Sequence, residues 1–218
     1  MPTETDIDRI VQTLKERYYN DSSALADVSS HTRDPFKVLI SCLLSLRTKD
    51  EVTAEAAKRL FARAGTPEEM VQLTKEEIET LIYPVGFYHR KAEQILEISR
   101  VLIDKYNSRV PDEISELLNF KGVGRKTANI VVTMGYNKLG VAVDTHVHRI
   151  SNRLGLVTTK TPEQTEFALR DILPEKHWIV FNNLLVMHGQ NICTPISPKC
   201  SMCPITAYCK RVGVERFR

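Results

Sequence analysis

The chain has 218 residues, of which 42% are hydrophobic and 26% charged. That is enough to bury one large core or two small ones, and it excludes a disordered or collagen-like protein. No apolar run reaches the roughly 18 residues that a membrane helix needs, and a formal charge of +3 is too small to announce a polyanionic partner.

In chain order the pattern is almost wholly helical. Residues 6–18 and 36–46 are expected as helices, and the acidic start (Glu4, Asp6) has neither the apolar core of a secretory signal nor the character of a transit peptide. Asp50-Glu51-Val52-Thr53 opens an Ala-, Lys- and Arg-rich helix that Gly65 closes. Thr66-Pro67-Glu68-Glu69 and Thr74-Lys75-Glu76-Glu77 read as capping boxes, and Thr161-Pro162-Glu163-Gln164 as a third. Tyr88, Ala92, Ile95, Ile98, Leu102 and Tyr106 recur every three or four positions, which predicts an amphipathic helix over 88–106. Gly140-Val141-Ala142-Val143 is too short and isolated to predict a sheet.

The small net charge conceals an asymmetry. Residues 1–120 sum to −5, 121–160 to +6, 161–184 to −2 and 185–218 to +4. Two basic segments on an acidic body point to an anionic partner, and each carries a motif. In the first, Phe120-Lys121-Gly122-Val123-Gly124-Arg125-Lys126-Thr127 reads as an apolar element, a tight turn and a helix start. Its glycines leave backbone N–H groups uncovered at a helix N-terminus, which suits a phosphate. A helix–hairpin–helix gripping a DNA backbone fits, with Gly122, Val123, Gly124, Arg125 and Thr127 as candidate contacts; a plain corner between two helices is the structural alternative. Lys126 is either one more phosphate contact or an amine nucleophile. Eighteen residues on, Asp144 precedes a helical segment. It is a natural N-cap, and a carboxylate fixed there can also serve as acid–base and electrostatic partner to Lys126.

Of five cysteines, Cys42 stands alone in an apolar run and reads as a small buried hydrophobe. Cys193, Cys200, Cys203 and Cys209 crowd the second basic segment as C-x6-C-x2-C-x5-C. With nothing pointing to secretion, they read as a metal site rather than a disulfide framework. Zinc normally uses two close pairs, and only Cys200 and Cys203 form one. The unequal spacing favours a cubane [4Fe–4S] cluster, with zinc the alternative.

Taken together, the hairpin 120–127, the run Val143–His146 and the four-cysteine loop resemble the endonuclease III family, within the helix–hairpin–helix superfamily of base-excision DNA glycosylases. Leu43-Leu44-Ser45 with Asp50, and Gly86-Phe87-Tyr88 with Lys91-Ala92, extend the resemblance over nearly the whole chain. It implies an all-α fold of two helical domains with a DNA-binding cleft between them. One is a helical barrel, 28–138, with the helix–hairpin–helix at about 114–133; the other joins 1–27 to 139–218 and holds the [4Fe–4S] loop. The implied activity is that of a bifunctional DNA glycosylase/AP lyase that excises oxidised pyrimidines. Lys126 would attack the sugar C1′ to form a Schiff base, Asp144 would assist, and β-elimination would cut 3′ to the abasic site. Adenine glycosylases and some mismatch glycosylases of the superfamily lack this lysine. Further implied DNA contacts are His146, Arg149, Lys199, Val85 as an apolar wedge, and Arg47, which stands where the family often has a glutamine that fills the gap left by the flipped base. The implied partner is duplex DNA with oxidised pyrimidines or abasic sites, bound by a monomer, away from membranes, in the cytoplasm and nucleoid of a bacterium or archaeon. Two other readings stay open: a mismatch or uracil-type glycosylase on the same scaffold, and a non-catalytic DNA-binding module with a structural metal. Lys126 with Asp144 counts against the latter.

Overall fold

A computed structural model describes residues 3–19 and 34–218. Every regular element in them is helical, and no strand occurs among the described residues. The chain divides between Lys138 and Leu139 into two compact units, the second of which also takes α1 (Glu4–Tyr19). The domain boundary expected at residue 28 lies outside the described residues. No helix among the described residues is long and apolar enough to cross a membrane.

The unit that ends at Lys138 contains α2 (Pro35–Ser45), α3 (Asp50–Arg63), α4 (Pro67–Met70), α5 (Lys75–Ile82), α6 (Tyr88–Tyr106), α7 (Ile114–Leu117) and α8 (Arg125–Ile130). The last continues into a π-helical turn, Val131–Gly135. Local sequence sets several of these starts. Asp34 caps α2 by accepting from the Phe36 and Lys37 amides, with Pro35 at the first helical position. The boxes at Thr66 and Thr74 are both reciprocal: each threonine hydroxyl accepts the glutamate amide three residues on, and each glutamate returns to the threonine amide. Such caps are each worth about 0.5–2 kcal/mol. Helix α6 spans the predicted residues, and Ala92, Ile95, Ile98 and Leu102 are buried in a core shared with Leu39, Ile40, Leu43 and Leu44 of α2 and Ile78 and Ile82 of α5. Each fully buried Leu or Ile contributes about 1.5–3 kcal/mol. Cys42 packs half-buried against this core, and burial pushes its thiol up to about 12.

The other unit joins α1 to α9 (Thr145–Leu154), α10 (Pro162–Ile172), a short 3-10 turn at Glu175–His177, α11 (Trp178–Asn191) and the cysteine loop. Ile10 and Leu14 of α1 meet Val147, Ile150 and Leu154 of α9, Leu169 of α10, and Phe181, Leu184 and Leu185 of α11 in its core. The third capping box forms only by half. Thr161 accepts from the Gln164 amide, but the Gln164 carbonyl oxygen takes the Lys160 amide at 2.9 Å instead of that of Thr161.

Candidate active site

The segment between α7 and α8 is anchored from below. Phe120 and Val123 are buried in the core of their unit, and the Val123 amide donates to the Phe120 carbonyl at 3.1 Å. Gly122 between them has φ +84, and a Cβ there would lie 2.6 Å from the buried Gln94 amide, so the turn requires glycine twice over. Gly124 differs. Its φ of −99° is open to any residue, and a Cβ would meet nothing within 4 Å. Neither backbone nor packing among the described residues asks for a glycine there. Among the described residues no side chain caps the start of α8. Exposed Gly122 and Gly124 and half-buried Arg125 and Lys126 thus stand together at the start of α8. Across the unit, the charge of Lys126 reaches Cys42 on α2 and works against the burial that raises that thiol.

In the other unit Asp144 is the N-cap of α9. One carboxylate oxygen accepts from the His146 amide at 2.8 Å and the Val147 amide at 2.9 Å. Val143 and Val147 are buried on either side, and Asn182 of α11 fixes the strand-like approach by donating to the Ala142 carbonyl at 2.9 Å. The carboxylate is held at the positive end of a helix in a half-buried position, which defines its orientation.

Cys193, Cys200, Cys203 and Cys209 are all free thiols, and together they line one cavity with Ile150, His188 and Ile192. Among the described residues no three His, Cys, Asp or Glu donors converge as they would around a single ion. Four sulfurs around one cavity suit the four corners of a cluster. Polar groups reach three of the sulfurs. Arg153 Nη1 donates to Cys193 Sγ at 3.4 Å, the Arg211 amide donates to Cys209 Sγ at 3.4 Å, and His188 Nε2 lies 3.6 Å from Cys203 Sγ. Burial pushes the Cys203 thiol up to about 11 and raises Cys209 as well, so bare thiolates are disfavoured and a cationic centre would supply the missing charge. Purified protein is expected to carry iron and acid-labile sulfide in equal amounts; elemental analysis that finds zinc alone would replace the cluster with a single ion.

Several expected DNA contacts change role in the structure. Val85 cannot be a wedge, because it is 1% exposed and belongs to the core; two residues on, Phe87 is 61% exposed and presents the free apolar ring. Val123 and Thr127 are buried, so their side chains hold the hairpin in place instead of touching a partner. Arg149 spends its guanidinium inside its own unit, on the Cys193 carbonyl at 2.8 Å, the Gly189 carbonyl at 3.3 Å and His146 Nδ1 at 3.2 Å. Arg153, missed by sequence reasoning, continues the same clasp to the Thr194 and Pro195 carbonyls. Their spacing of four on one helix was the available signal. Arg47 is exposed, while His146 and Lys199 are half-buried.

The family model for HhH-GPD superfamily base excision DNA repair proteins matches residues 40–175, and that for the iron–sulfur binding domain of endonuclease III matches residues 193–209. Endonuclease III of Thermotoga maritima is 52% identical to this chain over 177 residues, 81% of this chain and 83% of that protein. Among solved structures, a trapped endonuclease III–DNA covalent intermediate in an estranged-adenine complex is similar with a TM-score of 0.80 and 34% identity, covering 97% of both chains. A thermostable thymine-DNA glycosylase is similar with a TM-score of 0.82 and 27% identity, covering 95% of this chain and 96% of that one.

Proposed function

Since this chain belongs to the endonuclease III family of HhH-GPD superfamily base excision DNA repair proteins, we propose that it is a bifunctional DNA glycosylase/AP lyase acting on oxidised pyrimidines in duplex DNA. The chain carries a [4Fe–4S] cluster, which Cys193, Cys200, Cys203 and Cys209 would hold; it would close the loop 193–209 on itself, while Arg153 of α9 and His188 of α11, against Cys193 and Cys203, join the loop to those helices.

The chemistry follows from where the base is. The sugar C1′ of a stacked nucleotide cannot be reached, so the damaged nucleotide is extruded first, and a poorly stacked lesion is cheaper to extrude. The ledge of Gly122, Gly124 and Arg125 grips the backbone. The Lys126 amine, in its neutral form, attacks C1′, and the base leaves with the C1′–N electron pair and takes up a proton. The Asp144 carboxylate accepts the proton that the attacking amine sheds and offsets the positive charge developing on the sugar. The nitrogen lone pair then expels the ring O4′, which takes up a proton, and the opened sugar is an iminium at C1′; this acidifies the C2′ proton, whose loss forms a C=C bond and expels the 3′ phosphate, which cuts the strand. His146, Lys199 and Arg47 remain the side-chain contacts to DNA. We assign the barrel and hairpin roles to the unit ending at Lys138, and a monomer in the cytoplasm, on the nucleoid, as the working form.

The observation that carries this reading is the place of Lys126. It is the second residue of α8, on the turn that follows a glycine required by no internal contact. A phosphate grip thus delivers an amine to the backbone. A mismatch-type glycosylase is the second reading, favoured by the likeness to the thymine-DNA glycosylase. One assay decides: duplexes carrying thymine glycol, dihydrouracil, 5-hydroxycytosine, or T or U opposite G, scored separately for base release and strand scission. Release of the oxidised bases with coincident scission is expected; release of mismatched T or U without scission would favour the second reading.

A further inference from the structure

The most deeply buried ammonium in the first unit has no part in the mechanism above. Lys91 of α6 is 4% exposed. Its Nζ donates to the Leu44 carbonyl at 2.8 Å, the Leu46 carbonyl at 2.6 Å and Thr48 Oγ1 at 3.3 Å. The first two acceptors close the C-terminus of α2, where the helix dipole favours a cation. Thr48 Oγ1 also accepts the Gly86 amide at 3.1 Å. At Gly86 a Cβ would lie 2.6 Å from the Arg47 carbonyl oxygen, so the turns 46–48 and 85–87 are pressed together as tightly as two backbones allow.

Out of this knot rise two side chains. Arg47 has φ +54 and Phe87 has φ +59, a left-handed conformation that ordinary residues avoid. Both are exposed, and the Arg47 guanidinium stands 5.6 Å from the centroid of the Phe87 ring. Strained backbone that projects a stacked cation and ring into solvent is a mark of function and not of packing. Burial pulls the Lys91 amine down to about 8, so at neutral pH its acceptors still hold an ammonium.

We propose that Lys91 is a positioning residue for base extrusion: it locks the 46–48 and 85–87 turns together so that Arg47 and Phe87 enter the duplex as one preformed unit. The proposal rests on the glycosylase reading. Extruding a nucleotide leaves a hole in the stack, and a flat ring under a planar guanidinium is the shape that fills it. Two loose side chains would lose their freedom on entering; a locked pair has lost it already. The demand is greatest for a lesion that must be pulled out of its pair, and least for an abasic site, which has no base to displace.

The test compares thymine-glycol excision with cleavage of a preformed abasic site by the iron–sulfur-loaded protein. Lys91→Met keeps the length of the stem and removes the ammonium. It should lower excision by about tenfold or more while abasic-site cleavage changes by less than about twofold. Arg47→Ala should likewise lower excision, and the double variant should excise no more slowly than the worse of the two single variants, since both disable one unit. Parallel losses of excision and cleavage, or losses that simply add, would reduce Lys91 to a structural residue. Should Lys91→Met lose its cluster absorption, Thr48→Val decides by the same split, because it deletes only the hydroxyl shared by Lys91 and Gly86. A wild-type protein that excises no oxidised base would instead overturn the glycosylase reading.

Discussion

Lys126→Gln should leave no covalent protein–DNA complex when borohydride is added to the protein and an abasic or thymine-glycol duplex. Glutamine keeps nearly the length and polarity of lysine but has no amine that can form an iminium, so the reducible adduct disappears rather than weakens. Base release should fall on the order of 10³-fold or more, because nucleophile and electron sink are lost together. Affinity should change little. The hairpin is held by Phe120, Val123 and the positive φ of Gly122, none of which depends on the Lys126 side chain. Undiminished trapping in the variant would move the nucleophile elsewhere.

The second large effect is expected at Asp144. Asparagine caps a helix as well as aspartate does, so Asp144→Asn can still accept the His146 and Val147 amides and should keep the melting temperature near that of the wild type. What it removes is the charge. Turnover should drop on the order of 10²–10⁴-fold, the usual worth of a positioned acid–base group, with DNA affinity nearly intact. Asp144→Ala is the companion variant: it loses cap and charge, and should cost about 1 kcal/mol of stability in addition. If Asn and Ala are equally unstable, or if Asp144→Asn loses affinity as fast as turnover, the residue is only a cap.

Both predictions begin in short stretches of sequence. The G-x-G turn, the lysine after it, the aspartate before a helix and the four spaced cysteines could be read because each is a local device: a left-handed glycine, an uncapped amide row, a side chain that caps its own helix, a loop wrapping one cofactor. The helix over 88–106 and the boxes at Thr66 and Thr74 were legible for the same reason, since period and cap chemistry act within a few residues. Even so, the half-formed box at Thr161 shows how a competing donor one residue away, the Lys160 amide, takes the Gln164 side-chain oxygen from the Thr161 amide.

The sequence by itself determined the helical class, the spacing of the four clustered cysteines and the two candidate catalytic groups. Only the tertiary structure decided which polar and apolar side chains near them are spoken for. Val85, Val123 and Thr127 turn inward, Arg149 folds back on the cysteine loop, and Arg47 from the turn after α2 meets Phe87 and Lys91 at the start of α6 in one knot. The reason is physical. A cap or a turn is satisfied by neighbours in the chain, whereas burial and the spending of a guanidinium or an ammonium on carbonyls are settled by residues 38 to 47 positions away, which no local pattern encodes.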